Sequence, residues 1–398
     1  MVVTFVSNYI NHHQIPFCNA MYEQLSGGFY FVQTQPMEEE RVQMGWGQEL
    51  EKLPYLKLFY EQPEECKRLI AESDVVLFGG VEDESYIADR LRAGKIVVRL
   101  SERIYKSGQW KAISPRGLIR KFKDHTKYRK SNVYLLCCGG YVASDFHIVR
   151  AYPGKMFKWG YFPKTNSYDI ETLLATKKDR YKQDGKLALL WAGRFIDWKH
   201  PEMAIKAAGY LKSKGYQFTL TMVGGGDMES ALKDMVKQQG LSDVVRFVGF
   251  KAPHEVRTYM EETDIFLFTS DYQEGWGAVL NEAMNSGCAV VANCAIGAVP
   301  FLVVPGENGL IYPNKDEKTF YKQLEVLFEQ EELRYQLGKA AYETITKRWN
   351  AEVAAERLVK MLPDLLEEKI HFSGQDILSK APIVSPGKMY RYLMKKVK

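Results

Sequence analysis

Cysteine pairing is missing from this sequence. Its six cysteines (Cys18, Cys66, Cys137, Cys138, Cys288 and Cys294) form no C-x-x-C pair and no Cys/His spacing of a zinc module, which argues against a metal-stapled or disulfide-stapled scaffold. They read as reduced, mostly buried thiols of a cytoplasmic chain. The first seven residues lack the basic and apolar regions of a secretory leader, so none is expected. No G-x-G-x-x-G follows the first apolar run, so the dinucleotide fingerprint is absent. Long apolar runs are scarce too. One stretch of 24 uncharged residues, from Ala283 to Gly306, has the length of a membrane span. Asn285, Gly287, Asn293, Gly297, Pro300 and Pro305 interrupt it, so it parses as a helix end, a stop at Gly287, a buried strand over 288–292 and a loop.

What is present is a globular composition, 46% hydrophobic with 13% aromatic residues, in 398 residues. That length favours two domains with full-sized cores. The net charge of +5 is unevenly spread. Between Arg103 and Lys130 ten basic residues face one acid, Asp124, for a local charge of +9. From Lys388 to Lys398 five bases and no acid give +5, which leaves an acidic remainder of −9.

Short β-branched apolar runs alternate with helical patterns. Residues 2–6, 29–33, 75–78, 96–99 and 133–137 read as strands in the first half; 187–192, 218–223, 245–248, 265–269 and 289–292 do so in the second. Pro63 and Pro201 open helices over 64–72 and 202–212. Near-continuous apolar strands alternating with helices predict an α/β fold with parallel sheets. Residues 72–78 (ESDVVLF) and 262–268 (ETDIFLF) look alike, as two halves of one architecture would, although chance similarity between buried strands explains them equally well. Residues 163–186 are polar with no clear strand and suit an interdomain hinge. The predicted division is 1–180, 181–369 and a basic tail over 370–398 that is expected to return to the N-terminal domain.

Two constellations carry chemistry. Arg194 stands just past the apolar run 187–192, after Gly193, and Lys199 follows five residues later, just before Pro201 opens a helix. A guanidinium and an ammonium at the carboxyl end of a parallel strand make an anion site. The second constellation follows the run at 265–269: Glu274, Gly275, Trp276, Gly277 and, with seven residues between it and Glu274, Glu282. On one helix, eight steps of ~1.5 Å would set these carboxylates about 12 Å apart along the backbone. A hydrolytic pair needs carboxyl groups about 5–9.5 Å apart. The spacing better suits two contacts on one extended ligand.

Glu274 and Glu282 in this setting resemble the E-x7-E signature of retaining glycosyltransferases of family 4, of the type found in bacterial surface-polysaccharide synthesis. Gly193, Arg194 and Lys199 resemble that family's diphosphate-binding pair. The stretches Met222 to Gly226, Phe247 to Phe250 and Pro305 to Gly309 fall where its loops fall. The likeness is close over 186–350 and loose before it.

The resemblance implies the GT-B fold, two Rossmann-like parallel-sheet domains facing an interdomain cleft, and a metal-independent enzyme with no separate cofactor. Arg194 and Lys199 would hold the diphosphate of a nucleotide-sugar, UDP-sugars being favoured over GDP-sugars. Glu274 would contact the donor sugar and Glu282 the ribose. Gly275, Trp276 and Gly277 would add backbone amides to the phosphate cradle. Gly249 and Phe250 would lie near the base. The glycine turn at 224–226 reads more simply as a tight strand–helix connection. The alternatives within the fold are a nucleotide-sugar epimerase and a non-catalytic glycan- or partner-binding subunit; the four charged residues together argue against both.

The first half is expected to bind the acceptor, a glycan or a lipid-linked glycan. Its first polar loop offers Asn11, His12 and His13, without the family's Gly-Gly. Where many members carry a histidine after a later strand, this chain has Arg99 and Glu102 instead. The loop from Gly297 ends in Phe301 rather than an acid, and His125 is expected on the surface. The segments from Arg103 to Lys130 and from Lys388 to Lys398 are expected to meet an anionic membrane surface, the second as an interfacial helix. No nucleic-acid module is recognised.

Overall fold

The computed structural model describes residues 1–39, 53–372 and 374–395. Among them the chain divides into two units, one of Met1–Lys164 with Trp349–Ser385, the other of Thr165–Arg348 with Pro386–Lys398.

The first unit is built on seven strands: β1 (Val3–Ser7), β2 (Phe29–Gln33), β3 (Leu56–Leu58), β4 (Val75–Gly79), β5 (Val97–Ser101), β6 (Val133–Cys138) and β7 (Met156–Trp159). They pair in parallel in the order β3-β2-β1-β4-β5-β6-β7. Every residue of β1, β4 and β6 is buried, as expected of strands covered on both faces. The second unit carries β8 (Leu187–Ala192), β9 (Phe218–Val223), β10 (Val245–Gly249), β11 (Ile265–Phe268), β12 (Ala289–Asn293) and β13 (Leu310–Tyr312). These pair in parallel as β10-β9-β8-β11-β12-β13. Each sheet has its own apolar core.

The two sheets therefore share an order, with β4 beside β1 as β11 is beside β8. The look-alike segments lead into those two corresponding strands, and their shared residues do the same work. Asp74 accepts the Val2 amide (2.7 Å) and Asp264 the Ala188 amide (2.8 Å), each tying the start of one strand to its neighbour. Ser73 and Thr263 each donate to a carbonyl four residues back, at 2.7 Å.

Ten strands lie where the apolar runs put them, to within one or two residues. β3, β7 and β13 were not expected: they are three or four residues long and stand at or near sheet edges, too short for a period-two pattern to register. The uncharged run resolves into the helix Val279–Asn285, β12 and a buried loop. No helix among the described residues is long and apolar enough to cross a membrane. All six cysteines are free and buried.

The expected hinge at 163–186 is instead mostly a helix, Ile170–Asp184, with Asp169 accepting the Thr172 amide at its start and left-handed Gly185 at its end. Its polar sequence hid it. Consequently the chain passes between units at 164/165 rather than near 180. The helix Ala351–Leu366, expected with the second domain, counts with the first unit, where it packs on the helix Ile15–Gln24. Residues Leu378, Ser379 and Ala381 hydrogen-bond along β7 and cover that sheet edge. The tail does not stay with one unit, because the helix Pro386–Met394 counts with the second. Met389 and Leu393 of that helix are buried in the protein, so the expected interfacial face is already used; Lys396 and Lys398 lie outside the described residues.

Candidate functional site: a charged cluster at the carboxyl end of the second sheet

In the second unit β8 and β11 are neighbours, so the loops that follow them emerge side by side. Arg194 stands two residues past β8, and Lys199 lies in the 3-10 turn Asp197–Lys199 before the helix Pro201–Ser213. Glu274 follows β11, and Glu282 is the fourth residue of the helix Val279–Asn285. Strand adjacency thus brings together residues far apart in sequence.

The Lys199 ammonium lies 2.6 Å from Glu274 Oε2, and Ser270 Oγ donates to the same oxygen at 3.0 Å. Thr269 fastens the two loops together. Its hydroxyl accepts from Trp191 Nε1 (2.8 Å) and donates towards the Lys199 and His200 carbonyls (2.8 and 2.9 Å). The Asp271 amide adds a 3.0 Å bond to the Trp198 carbonyl. His200 has φ 50° and sits between Glu202 Oε1 (2.9 Å) and Asp271 Oδ2 (3.5 Å). Bonds to Asp271 and Glu202 push its imidazole up to about 9.

Other groups of the cluster have no such internal partner. Among the described residues no acceptor takes the guanidinium of exposed Arg194, and no donor meets the Glu282 carboxylate. Burial pushes the Glu282 carboxyl up, against the lowering pull of Arg257. Among the described residues no acceptor takes the Gly275 or Gly277 amide.

Two glycines are required by close approach. A Cβ on Gly297 would lie 1.7 Å from the Gly275 carbonyl, where the Gly297 amide bonds the Glu274 carbonyl (3.1 Å). A Cβ on Gly224 would lie 1.9 Å from the Gly193 carbonyl, so the glycine turn serves the packing of β8 against β9. Gly249 accepts the Gly224 amide at 2.9 Å, and the neighbouring Phe250 ring is exposed. The Trp276 side chain is buried with Nε1 donating to Asn281 (2.9 Å), and Phe301 is buried close by, so the indole braces the loop, and only the backbone of this residue is left for the cradle expected of it.

The first unit treats its candidates otherwise. Asn11 and Gln14 bond each other, and Asn11 Oδ1 takes the His13 amide (3.0 Å), a self-contained turn before the helix Ile15–Gln24. The His12 and His13 rings lie 3.8 Å apart, and burial pushes His12 down to about 4, leaving it a neutral imidazole. Arg99 is buried and clamps Glu84 at 2.6 and 2.5 Å, so it is not presented to a ligand as expected. Glu102 accepts from Tyr161 Oη (2.6 Å) and pairs with Lys106. His125, expected on the surface, is half-buried edge-on to Phe146, with Nδ1 2.7 Å from Tyr152 Oη.

Residues 175–344, which include every charged member of the cluster, match the family model described as glycosyl transferases group 1. Among curated relatives, the chain is 32% identical over 184 residues to the Erwinia amylovora amylovoran biosynthesis glycosyltransferase AmsK, covering 45% of each chain. The putative colanic acid biosynthesis glycosyltransferase WcaL of Escherichia coli K12 is 30% identical over 186 residues, again 45% of each chain. The chain thus spans less than half the length of these curated relatives.

Solved structures extend the likeness to the whole fold. Anabaena HepE, solved in complex with UDP, superposes with TM-score 0.67 at 16% identity, over 92% of this chain and 100% of that one. The lipopolysaccharide outer core galactosyltransferase WaaB gives 0.66 at 15% identity, over 92% and 99%. At such identity the likeness is one of fold, and the fold is GT-B. Sequence reasoning missed Thr269, Ser270, His200 and Asp271. Only the adjacency of His200 to Lys199 marked any of them in the sequence.

Proposed function

We propose that the chain is a retaining glycosyltransferase moving a sugar from a nucleotide-sugar to a hydroxyl of a glycan or lipid-linked glycan, in cytoplasmic steps of surface-polysaccharide synthesis. The observation that carries this reading is the cluster in which Lys199 is held on Glu274 beside an unpaired Arg194 and an unpaired Glu282. A diphosphate supplies what these groups lack. Arg194 takes phosphate oxygens with its planar fork of donors, and Lys199 has donors left after the one that meets Glu274. Glu282, a half-buried acceptor, suits the vicinal hydroxyls of a ribose, and Glu274, fixed by Lys199 and Ser270, suits the hydroxyls of the sugar. The Gly275 and Gly277 amides complete the cradle.

The chemical step needs the leaving diphosphate stabilised as its bond to the anomeric carbon breaks. Two cations poised at that place do this without a metal, because charge stabilisation is greatest where donors are already oriented. The departing phosphate oxygen accepts the proton of the acceptor hydroxyl on the same face, so the configuration is retained. The relatives' role in amylovoran and colanic acid synthesis supports a surface polysaccharide as product. The UDP bound by Anabaena HepE supports trying UDP-sugars first.

Incubation with UDP-, GDP- and ADP-sugars, following nucleotide release with and without glycan acceptors, tests the reading. Release with one base is expected; no release with any donor, together with no thermal shift by any nucleotide, overturns it.

A further inference from the structure

The segment between β5 and β6 has an arrangement that transferase chemistry does not use. Residues Gln109–Ile113 form a 3-10 turn and Pro115–Asp124 a helix that buries none of its residues. Large apolar side chains nevertheless crowd it: Trp110 (67% exposed), Ile113 (80%), Leu118 (41%), Ile119 (57%) and Phe122 (56%). At about 100° per residue, Leu118, Ile119 and Phe122 share one face of the helix. Arg116 and Lys123 flank that face on one side and Lys121 on the other, while Asp124 falls opposite. An amphipathic helix normally turns its apolar face to the core; this one turns it to solvent among the described residues.

The excursion is anchored at its base. Buried Arg103 pairs with Asp145 (3.3 Å), which also accepts from Gln109 Nε2 (2.9 Å) and the Tyr105 amide (3.0 Å). At its far end His125 meets Tyr152, and Thr126 Oγ1 donates to the Val149 carbonyl at 2.8 Å. Ser114 caps the helix by accepting the Gly117 amide. The apolar face is thus held out by a built support.

We infer that the helix face of Leu118, Ile119 and Phe122, with the exposed Trp110 and Ile113 of the preceding turn, docks the protein on an anionic lipid bilayer, the apolar side chains entering the interface and the flanking bases meeting lipid phosphates. Charge complementarity selects this occupant. Arg116, Lys123, Lys127, Arg129 and Lys130 are exposed, and Arg120 is the one basic residue of the helix paired to acids, Glu82 and Asp124. A second copy would set like charge against like charge. A nucleic acid would meet the bases but leave the aliphatic face in water. Each Lys or Arg near an anionic surface strengthens partition about five-fold, and the apolar face adds to it. The inference goes beyond the donor reaction and stands apart from it.

Co-sedimentation of the full chain with phosphatidylcholine vesicles, with and without phosphatidylglycerol, tests it in the absence of any donor. Retention on the phosphatidylglycerol vesicles alone, released by salt, is expected. The triple variant Leu118→Ser, Ile119→Ser, Phe122→Ser keeps every charge and should bind at least about ten-fold more weakly. Arg116→Glu with Lys123→Glu should lose the preference for anionic lipid. All five positions are exposed, so unchanged melting temperatures verify that the variants fold. The inference is overturned if the wild-type chain stays in the supernatant at low salt, or if the triple variant binds as well as wild type. It is also overturned if that variant merely converts a soluble dimer to a monomer without changing vesicle retention. Nucleotide release, assayed separately, reports on the transferase reading alone.

Discussion

The two sheets are alike where their strands begin and unlike where the loops beyond their carboxyl ends emerge. At the starts, Asp74 and Asp264 make the same bond to a neighbouring strand, and Ser73 and Thr263 the same bond to the preceding helix. At the carboxyl ends the second unit, among the described residues, leaves the Arg194 guanidinium and the Glu282 carboxylate without a hydrogen-bond partner and holds Lys199 on Glu274. The first unit spends Arg99 on Glu84, and Glu102 on Tyr161 and Lys106. Strand starts define a repeated scaffold; the loops beyond the carboxyl ends decide separately, in each copy, whether charge is presented or neutralised.

This contrast breaks if charge in the second unit is idle. Arg194→Ala and Lys199→Ala should each lower turnover about 100–1000-fold, the cost of removing one group that meets developing charge. Steady-state nucleotide release measures it, and near-wild-type rates in both variants would end the assignment. Arg99→Ala is the counterpart in the first unit. It should cost about 3 kcal/mol of stability by leaving Glu84 without its buried partner, while the donor KM stays put. A changed KM with an unchanged melting curve would reverse the roles given to the two ends.

A smaller effect is expected at Glu282. Glu282→Gln should raise the donor KM roughly ten-fold, about what one lost hydrogen bond to a charged group amounts to, with turnover less affected. The smallest concerns His200, whose imidazole is raised from 6.5 to about 9 by Asp271 and Glu202. The protonated form is favoured by folding, so its stabilisation is complete below pH 6.5 and fades as pH rises through 9. His200→Asn should therefore melt earlier than wild type below pH 6.5 and converge with it above pH 9. A gap that persists at high pH would show that packing, rather than charge, holds the loop.

Much of this was legible beforehand. Ten strands, the helices opened by Pro63 and Pro201, and the order of Arg194, Lys199, Glu274 and Glu282 follow from local patterns. The helix Ile170–Asp184 was not legible, because its residues are mostly polar and only Leu174 and Lys177 are buried. The role of the Trp276 side chain was not legible either, because its partner, Asn281, lies within the following helix. The helix Pro386–Met394 and the helix Pro115–Asp124 both mix basic and apolar residues. The first buries Met389 and Leu393 and the second buries nothing.

The sequence by itself determined the α/β class, the strands and the motif residues, because apolar runs, proline helix starts and glycine turns act between near neighbours. Tertiary structure decided which charges are paired inside the protein and which apolar face looks outward. Both depend on partners distant in the chain, Lys199 meeting Glu274 across 75 residues and Arg99 meeting Glu84 across 15. Coulomb and packing forces act through space, and only the folded chain says what lies next to what.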